Sequence, residues 1–195
     1  CGAVFTYGIY SGNYNLNIEH TRRLEVTAHR GASIDCPENT MSSFVRAKEL
    51  GADWIELDVQ MTKDGKIIVI HDDNFKRTTG VDKNVWELNF DEIRKLDSGS
   101  YFSEEYKGER IPSLGEVIEF AKKNGMKLNI ELKPSGNEKD FEKTVIDIIT
   151  KLHFENNCVI TSQIYSVLEN VKNYNNNIKT VYVLSLAYGD ITSLK

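Results

Sequence analysis

Proline, cysteine and long apolar runs are all scarce in this 195-residue chain. Three prolines leave no Pro-rich linker and no proline-driven low-complexity tail. The three cysteines, Cys1, Cys36 and Cys158, are odd in number, far apart and without CxxC spacing. They point away from a zinc site and a disulfide framework, and read as buried or incidental thiols. No run of about 18 apolar residues is present, so no segment reads as a membrane-spanning helix. Positive charge is in deficit too, with 24 Lys and Arg against 29 Asp and Glu and a net charge of −5. That balance offers no electrostatic footprint for nucleic acid or for an anionic membrane surface.

What is present suits one globular domain with a sizeable core: 40% hydrophobic and 27% charged residues. The sequence opens on Cys1 rather than Met, and Gly2–Asn17 is rich in Tyr, Gly and Asn. Residues 1–23 therefore read as an N-terminal connector from an upstream segment, and residues 24–195 as the folded domain.

From there, short β-like runs alternate with amphipathic helical runs. Strands are expected at Leu24–Ala28, Trp54–Met61, Ile67–Ile70, Lys127–Leu132, Val159–Ser162 and Thr180–Leu184. Helices are expected at Thr40–Leu50, from Ser113 to Lys123, at Lys139–Leu152 and at Ser166–Asn173. The first carries Phe44, Ala47 and Leu50 on one face and stops at Gly51. Ser113 caps the second, Glu116 completes a capping box, and Gly125 lies just beyond its end. Residues 75–110, polar and aromatic with one short helix near Phe90–Leu96, read as an insertion outside the repeat.

This alternation implies parallel βαβ units and the α/β class. Six β-like runs are visible, whereas a closed eight-stranded barrel takes about 250 residues. The expectation is a TIM-type (β/α)8 barrel, C-terminally incomplete in this chain, with about six of eight strands visible. An open doubly wound sheet is the alternative, because a six-stranded open barrel leaves unpaired edges.

Ionisable residues gather at the ends of these runs, where a parallel barrel carries its active site. The first run leads into His29-Arg30-Gly31: a planar fork of donors suited to phosphate oxygens, beside a residue that permits a tight turn. Pro37-Glu38-Asn39-Thr40 follows, and it reads either as a helix start or as a loop that brings Asn39 to the site. In Glu56-Leu57-Asp58 the two carboxylates project to the same face of a strand. Such a pair on an apolar strand needs compensation, by a hard divalent cation or by an internal Lys or Arg. Ile67–Ile70 delivers His71, with Asp72 either orienting its ring or capping the loop. Asn129, Glu131 and Lys133 share one strand face, so Lys133 either binds phosphate or neutralises the carboxylates without a metal. Together these residues are an inventory for metal-assisted phosphoryl chemistry.

In order and spacing, His29-Arg30-Gly31, Pro37-Glu38-Asn39-Thr40, Glu56-Leu57-Asp58-Val59, His71-Asp72 and Glu131-Leu132-Lys133-Pro134 resemble the glycerophosphodiester phosphodiesterases. The resemblance runs from about Glu25 to about Leu184. It implies a TIM-type barrel with a small insertion after the third strand. It implies that Glu56, Asp58 and Glu131 hold one divalent cation, Ca2+ or Mg2+, and that His29 and His71 are the general acid/base pair. Arg30 and Lys133 would contact phosphate, with Asn39 beside them. The implied reaction is attack of a glycerol 2-hydroxyl on phosphorus, then opening of the cyclic phosphate by water. The products would be glycerol 3-phosphate and an alcohol such as choline or ethanolamine.

The family usually carries two further strands, the last with a Trp that lines the site. Some members follow a multi-span membrane domain, so an extracytoplasmic, membrane-tethered location is an expectation compatible with the tyrosine-rich opening. Two rivals stand beside this reading: a related phospholipase-type phosphodiesterase, and a non-catalytic module that binds a phosphate polymer or a partner protein. The oligomeric state is left open.

Overall fold

Apolar residues at alternate positions of three central runs decide the architecture. Ile55, Leu57 and Val59, then Leu128, Ile130 and Leu132, then Ile160 are buried in one continuous cluster. In a computed structural model, which describes residues 24–184, these runs are hydrogen-bonded neighbours. The connector expected over residues 1–23 lies outside the described residues. The strands are β1 (Thr27–His29), β2 (Trp54–Met61), β3 (Ile67–Val69), β4 (Lys127–Leu132), β5 (Cys158–Ser162) and β6 (Lys179–Tyr182). The helices are α1 (Met41–Glu49), the short α2 (Lys76–Thr79) and α3 (Phe90–Ile93), α4 (Leu114–Asn124), α5 (Phe141–Lys151) and α6 (Tyr165–Tyr174).

Strands β1, β2, β4, β5 and β6 lie in that spatial order, each parallel to its neighbour. The long helices all cover one face: Phe44 and Ala47 of α1, Val117 and Ala121 of α4, Val145 and Ile149 of α5, and Val167 and Val171 of α6 join the strand residues in the main core. The other face carries Glu56, Asp58 and Gln60 of β2 and Lys127, Asn129 and Glu131 of β4. Helices outside, a polar strand face inside and parallel pairing make this an incomplete (β/α) barrel. Among the described residues no helix is long and apolar enough to cross a membrane.

The third strand has a direction that the strand pattern does not reveal. It pairs antiparallel with β2, Val59 opposite Val69 and Met61 opposite Ile67. Residues 62–66 between them are too few for a parallel crossover, which takes a dozen or more. β3 is uniformly apolar because it is buried on both sides. Ile67 and Val69 enter the main core, while Ile68 and Ile70 join Phe75, Val85, Ile93 and Ile111 in a second cluster. That second cluster is what anchors residues 75–110: the segment has its own small core instead of lying loose on the barrel.

Element ends follow local chemistry. Ser113 Oγ accepts from the Glu116 N–H, and the Glu116 carboxylate accepts from the Ser113 N–H, so α4 starts on a closed capping box. Gly125, at φ 66°, ends it. α5 starts at Phe141 rather than Lys139 because Asp140 sits at φ 54° and cannot be helical. β1 pairs with β2 only from Thr27 onward, and Leu24 and Val26 ahead of it are exposed.

Candidate active site

The inner polar residues form rows across the strands. His29 of β1 lies opposite Glu56 of β2, and Glu56 opposite Asn129 of β4. One row up, Asp58 lies opposite Glu131, and Glu131 opposite Thr161 of β5. Strand alternation and in-register parallel pairing thus bring together carboxylates that are more than 70 residues apart in the chain. One oxygen each of Glu56, Asp58 and Glu131 lies within 4.8 Å of the other two.

The β1–α1 loop closes over this row. Arg30, at φ 56°, turns its N–H onto Glu56 Oε2 at 2.9 Å. Gly31 follows at φ 77°, packed so closely on α1 that a Cβ there would lie 2.3 Å from Ser43 Oγ and 2.8 Å from the Ser43 carbonyl carbon. Gly31→Ala therefore meets both a left-handed backbone and a clash. The expected cost is roughly 2 kcal/mol or more, a loss of about 5 °C in Tm for a domain of this size. A thermal melt checks it; an unchanged Tm would mean that the loop is not held as described.

Asn39 sits at φ 56° and is buried. Its Nδ2 donates to Asp58 Oδ2 at 2.9 Å, and Asp58 N–H donates back to its Oδ1 at 3.4 Å. Thr40, not Asn39, caps α1. Pro37-Glu38-Asn39-Thr40 therefore serves both of its readings, with different residues: Thr40 starts the helix and Asn39 faces the carboxylates.

Two cations lean on Asp58, Arg30 Nε at 3.4 Å and Lys133 Nζ at 3.6 Å. They do not settle the charge of the cluster. The Glu56 carboxyl is pushed up to about 8, by burial first and then by the Asp58 charge, with Glu131 adding to it. Lys133 and Arg30 alone leave a buried carboxyl that resists ionising at neutral pH. Three clustered carboxylates are hard oxygen donors, so the set fits one hard divalent cation. Arg30 Nε is buried and makes no hydrogen bond, although Asp58 Oδ2 lies 3.4 Å away as its ion-pair partner.

The two histidines approach this cluster from different elements. His29 Nε2 is 3.8 Å from Glu56 Oε2. Its pKa is lowered, by burial first and then by the Arg30 charge, which favours neutral imidazole. His71 follows β3, and its carbonyl accepts from Gln60 Nε2 at 3.0 Å. Its Nδ1 lies 2.7 Å from Asp72 Oδ1, so Asp72 orients the ring. A hydrogen bond from Arg77 is the first cause holding the Asp72 carboxyl down at about 2. Ionised, Asp72 fixes the proton on Nδ1 and leaves Nε2 for chemistry.

Every residue singled out in the sequence lies in or beside this face, but several partners were not legible there. Arg77 binds Asp72 and Glu38 together. Tyr101 Oη accepts from the Glu38 N–H at 3.1 Å, and Gln163 Nε2 donates to Glu131 Oε1 at 3.3 Å. Arg77 and Tyr101 come from residues 75–110, which have no periodic pattern, and their contacts cross 39 and 63 residues.

Residues 29–185 match the sequence model of the Glycerophosphoryl diester phosphodiesterase family. A glycerophosphodiester phosphodiesterase of Caldanaerobacter subterraneus subsp. tengcongensis is 46% identical over 149 residues, covering 75% of this chain and 61% of that protein. Human lysophospholipase D is 32% identical over 163 residues, 80% of this chain and 51% of that protein. A phosphodiesterase from Oleispira antarctica, solved with the product sn-glycerol-3-phosphate, superposes with a TM-score of 0.79 at 35% identity. That superposition covers 83% of this chain and 66% of the other. The chain thus spans between half and two thirds of the length of these relatives.

Proposed function

The chain belongs to the glycerophosphoryl diester phosphodiesterase family, and from that membership and the geometry of its inner face we propose that it hydrolyses glycerophosphodiesters to glycerol 3-phosphate and an alcohol. The observation that carries the reading is the trio Glu56, Asp58 and Glu131, the first two buried, flanked by Arg30, Lys133 and His29.

Glu56, Asp58 and Glu131 would hold one divalent cation, Ca2+ or Mg2+, whose chemistry at such a site is to polarise a phosphoryl oxygen. Arg30 and Lys133 bind the phosphate. Arg30 brings its planar fork, with Nε beside Asp58 but not hydrogen-bonded, and Lys133 a point charge already turned toward Asp58. Asn39 holds Asp58 in place through its paired hydrogen bonds.

His29, favoured in its neutral form, accepts the proton of the glycerol 2-hydroxyl as that oxygen bonds to phosphorus. The bond from phosphorus to the leaving alcohol breaks, and His71 Nε2 supplies the proton that the departing oxygen needs. Water then opens the cyclic phosphate with the proton roles reversed, giving glycerol 3-phosphate. Supporting this division, Asp72 holds the His71 ring by Nδ1, while burial and then the Arg30 charge disfavour imidazolium at His29.

The test is release of glycerol 3-phosphate from glycerophosphocholine and glycerophosphoethanolamine, with Ca2+ or Mg2+ supplied and with EDTA. Release that EDTA abolishes is expected. Release of choline and lysophosphatidic acid from lysophosphatidylcholine, with no glycerol 3-phosphate from either deacylated diester, would move the substrate to lipids, a reading favoured by the likeness to human lysophospholipase D. No release from any diester with cation present would overturn the enzymatic reading in favour of a binding module.

A further inference from the structure

We propose that Arg77 is a positioning residue that locks the phosphate-binding Arg30 and the proton-donating His71 into one fixed spacing; this rests on the phosphodiesterase reading above. Arg77 is outside the motifs that carried the resemblance and lies on the four-residue α2 in the segment after β3. Its guanidinium presents two edges, and each holds one carboxylate. Nε and one Nη donate to Asp72 at 2.6 and 3.1 Å. The two Nη atoms donate to Glu38 at 3.0 and 2.7 Å. Bidentate engagement on both edges fixes the plane of the fork, which a single salt bridge does not.

Each carboxylate then passes the constraint inward. Asp72 Oδ1 is the atom 2.7 Å from His71 Nδ1. Glu38 Oε1, which accepts from Arg77, also accepts from Arg30 Nη1 at 3.0 Å. The result is an unbroken row: His71, Asp72, Arg77, Glu38, Arg30. Its two ends are the groups assigned to the leaving alcohol and to the phosphate, and they sit on separate loops. His71 follows β3 and Arg30 follows β1, and β3 and β1 do not pair with each other.

Charge supports the same picture. Burial pushes the Glu38 carboxyl up, but the hydrogen bonds from Arg77 and the Arg30 charge outweigh it and hold it below its ordinary value. Arg77 itself is raised by its bonds to Glu38 and Asp72. Both bridging carboxylates are thus ionised acceptors. Arg77 is partly exposed, 44% for its side chain, and exposed ion pairs contribute little to stability. The role of this row is therefore orientation.

The experiment compares Arg77→Met and Arg77→Lys with the parent protein in three readouts. In glycerophosphocholine turnover, Arg77→Met is expected to lose about 100-fold in kcat, the scale of a 1 Å misplacement of a reacting group. KM rises as well, because Arg30 loses its brace. Arg77→Lys, which keeps the charge but not the fork, recovers only part of the loss, and free guanidinium at non-denaturing concentration restores part of the Arg77→Met rate. In the second readout, proton NMR, the downfield Nδ1 proton of His71 is expected in the parent and lost in Arg77→Met. In the third, calorimetry with Ca2+ present, sn-glycerol 3-phosphate binds more weakly to Arg77→Met. Tm stays close to the parent.

If the parent turns over no diester, the functional reading fails, while the NMR signal still judges Arg77. A His71 Nδ1 signal unchanged in Arg77→Met would overturn the proposal. So would kcat and KM that match the parent, or a rate loss that tracks only a lower Tm and that guanidinium does not relieve.

Discussion

In a His71→Ala variant, turnover of glycerophosphocholine is expected to fall by about 10²–10⁴ in kcat, the usual contribution of a positioned general acid or base. Turnover of the matching p-nitrophenyl diester should fall by roughly tenfold or less, because so acidic a leaving group departs without a proton. The contrast follows from the anchoring of the ring. Asp72, held ionised by Arg77, sits 2.7 Å from Nδ1, which fixes the ring and turns Nε2 toward the leaving group. His29→Ala should behave differently and lose both substrates alike. Its proposed task, taking the proton of the attacking hydroxyl, is the same whatever the leaving group. Equal losses on both substrates in His71→Ala would sink the assignment of His71 as the acid.

The second large effect is on stability and depends on pH. Glu56 is pushed from an ordinary 4.5 up to about 8, chiefly by burial and then by Asp58. A carboxyl raised on folding binds its proton more tightly in the folded state. The stability linked to it is full below the unfolded value near 4.5 and is lost as pH rises through about 8. Cation-free protein should therefore lose on the order of a few kcal/mol between pH 5 and pH 8, or about 10 °C in Tm. A divalent cation should raise Tm more at pH 8 than at pH 5, because protons and cation compete for the same oxygens. Glu56→Gln should flatten the pH dependence and blunt the response to cation. Melts of parent and Glu56→Gln that run parallel from pH 5 to pH 8 would refute the cluster as described.

Much of this was legible before any coordinates. Period-2 alternation placed Glu56, Asp58, Asn129 and Glu131 on one face of their strands, because strand geometry leaves no choice. The capping box at Ser113 and the Gly125 stop were read from local chemistry and stand in the fold. Local chemistry also misled in small ways. Asp140 is left-handed, which delays α5; Asp adopts that conformation more readily than most residues but does not require it.

His71 shows the limit more clearly. Its run, Ile67–Ile70, counted in the sequence as one of six barrel strands, reached after a turn at Lys63-Asp64-Gly65. β3 instead runs antiparallel to β2, and His71 reaches the site because the hairpin folds it back beside Asp58, whose carbonyl accepts from the Ile70 N–H at 3.0 Å. The residue was identified through its neighbours in the chain, while the path that delivers it is a matter of pairing.

The sequence by itself determined which residues face the barrel interior, the capped start of α4, and the set of acids, bases and cations available. Periodicity and capping are local, acting over two to four residues. The tertiary structure alone decided what those groups do to one another. The in-register pairing of β2 with β4 crowds three carboxylates within 4.8 Å, and burial then raises Glu56. The fold of residues 75–110 over their own small core brings Arg77 to Glu38 and Asp72. Electrostatic coupling depends on distance through space and on access of water, and neither is encoded by spacing along the chain.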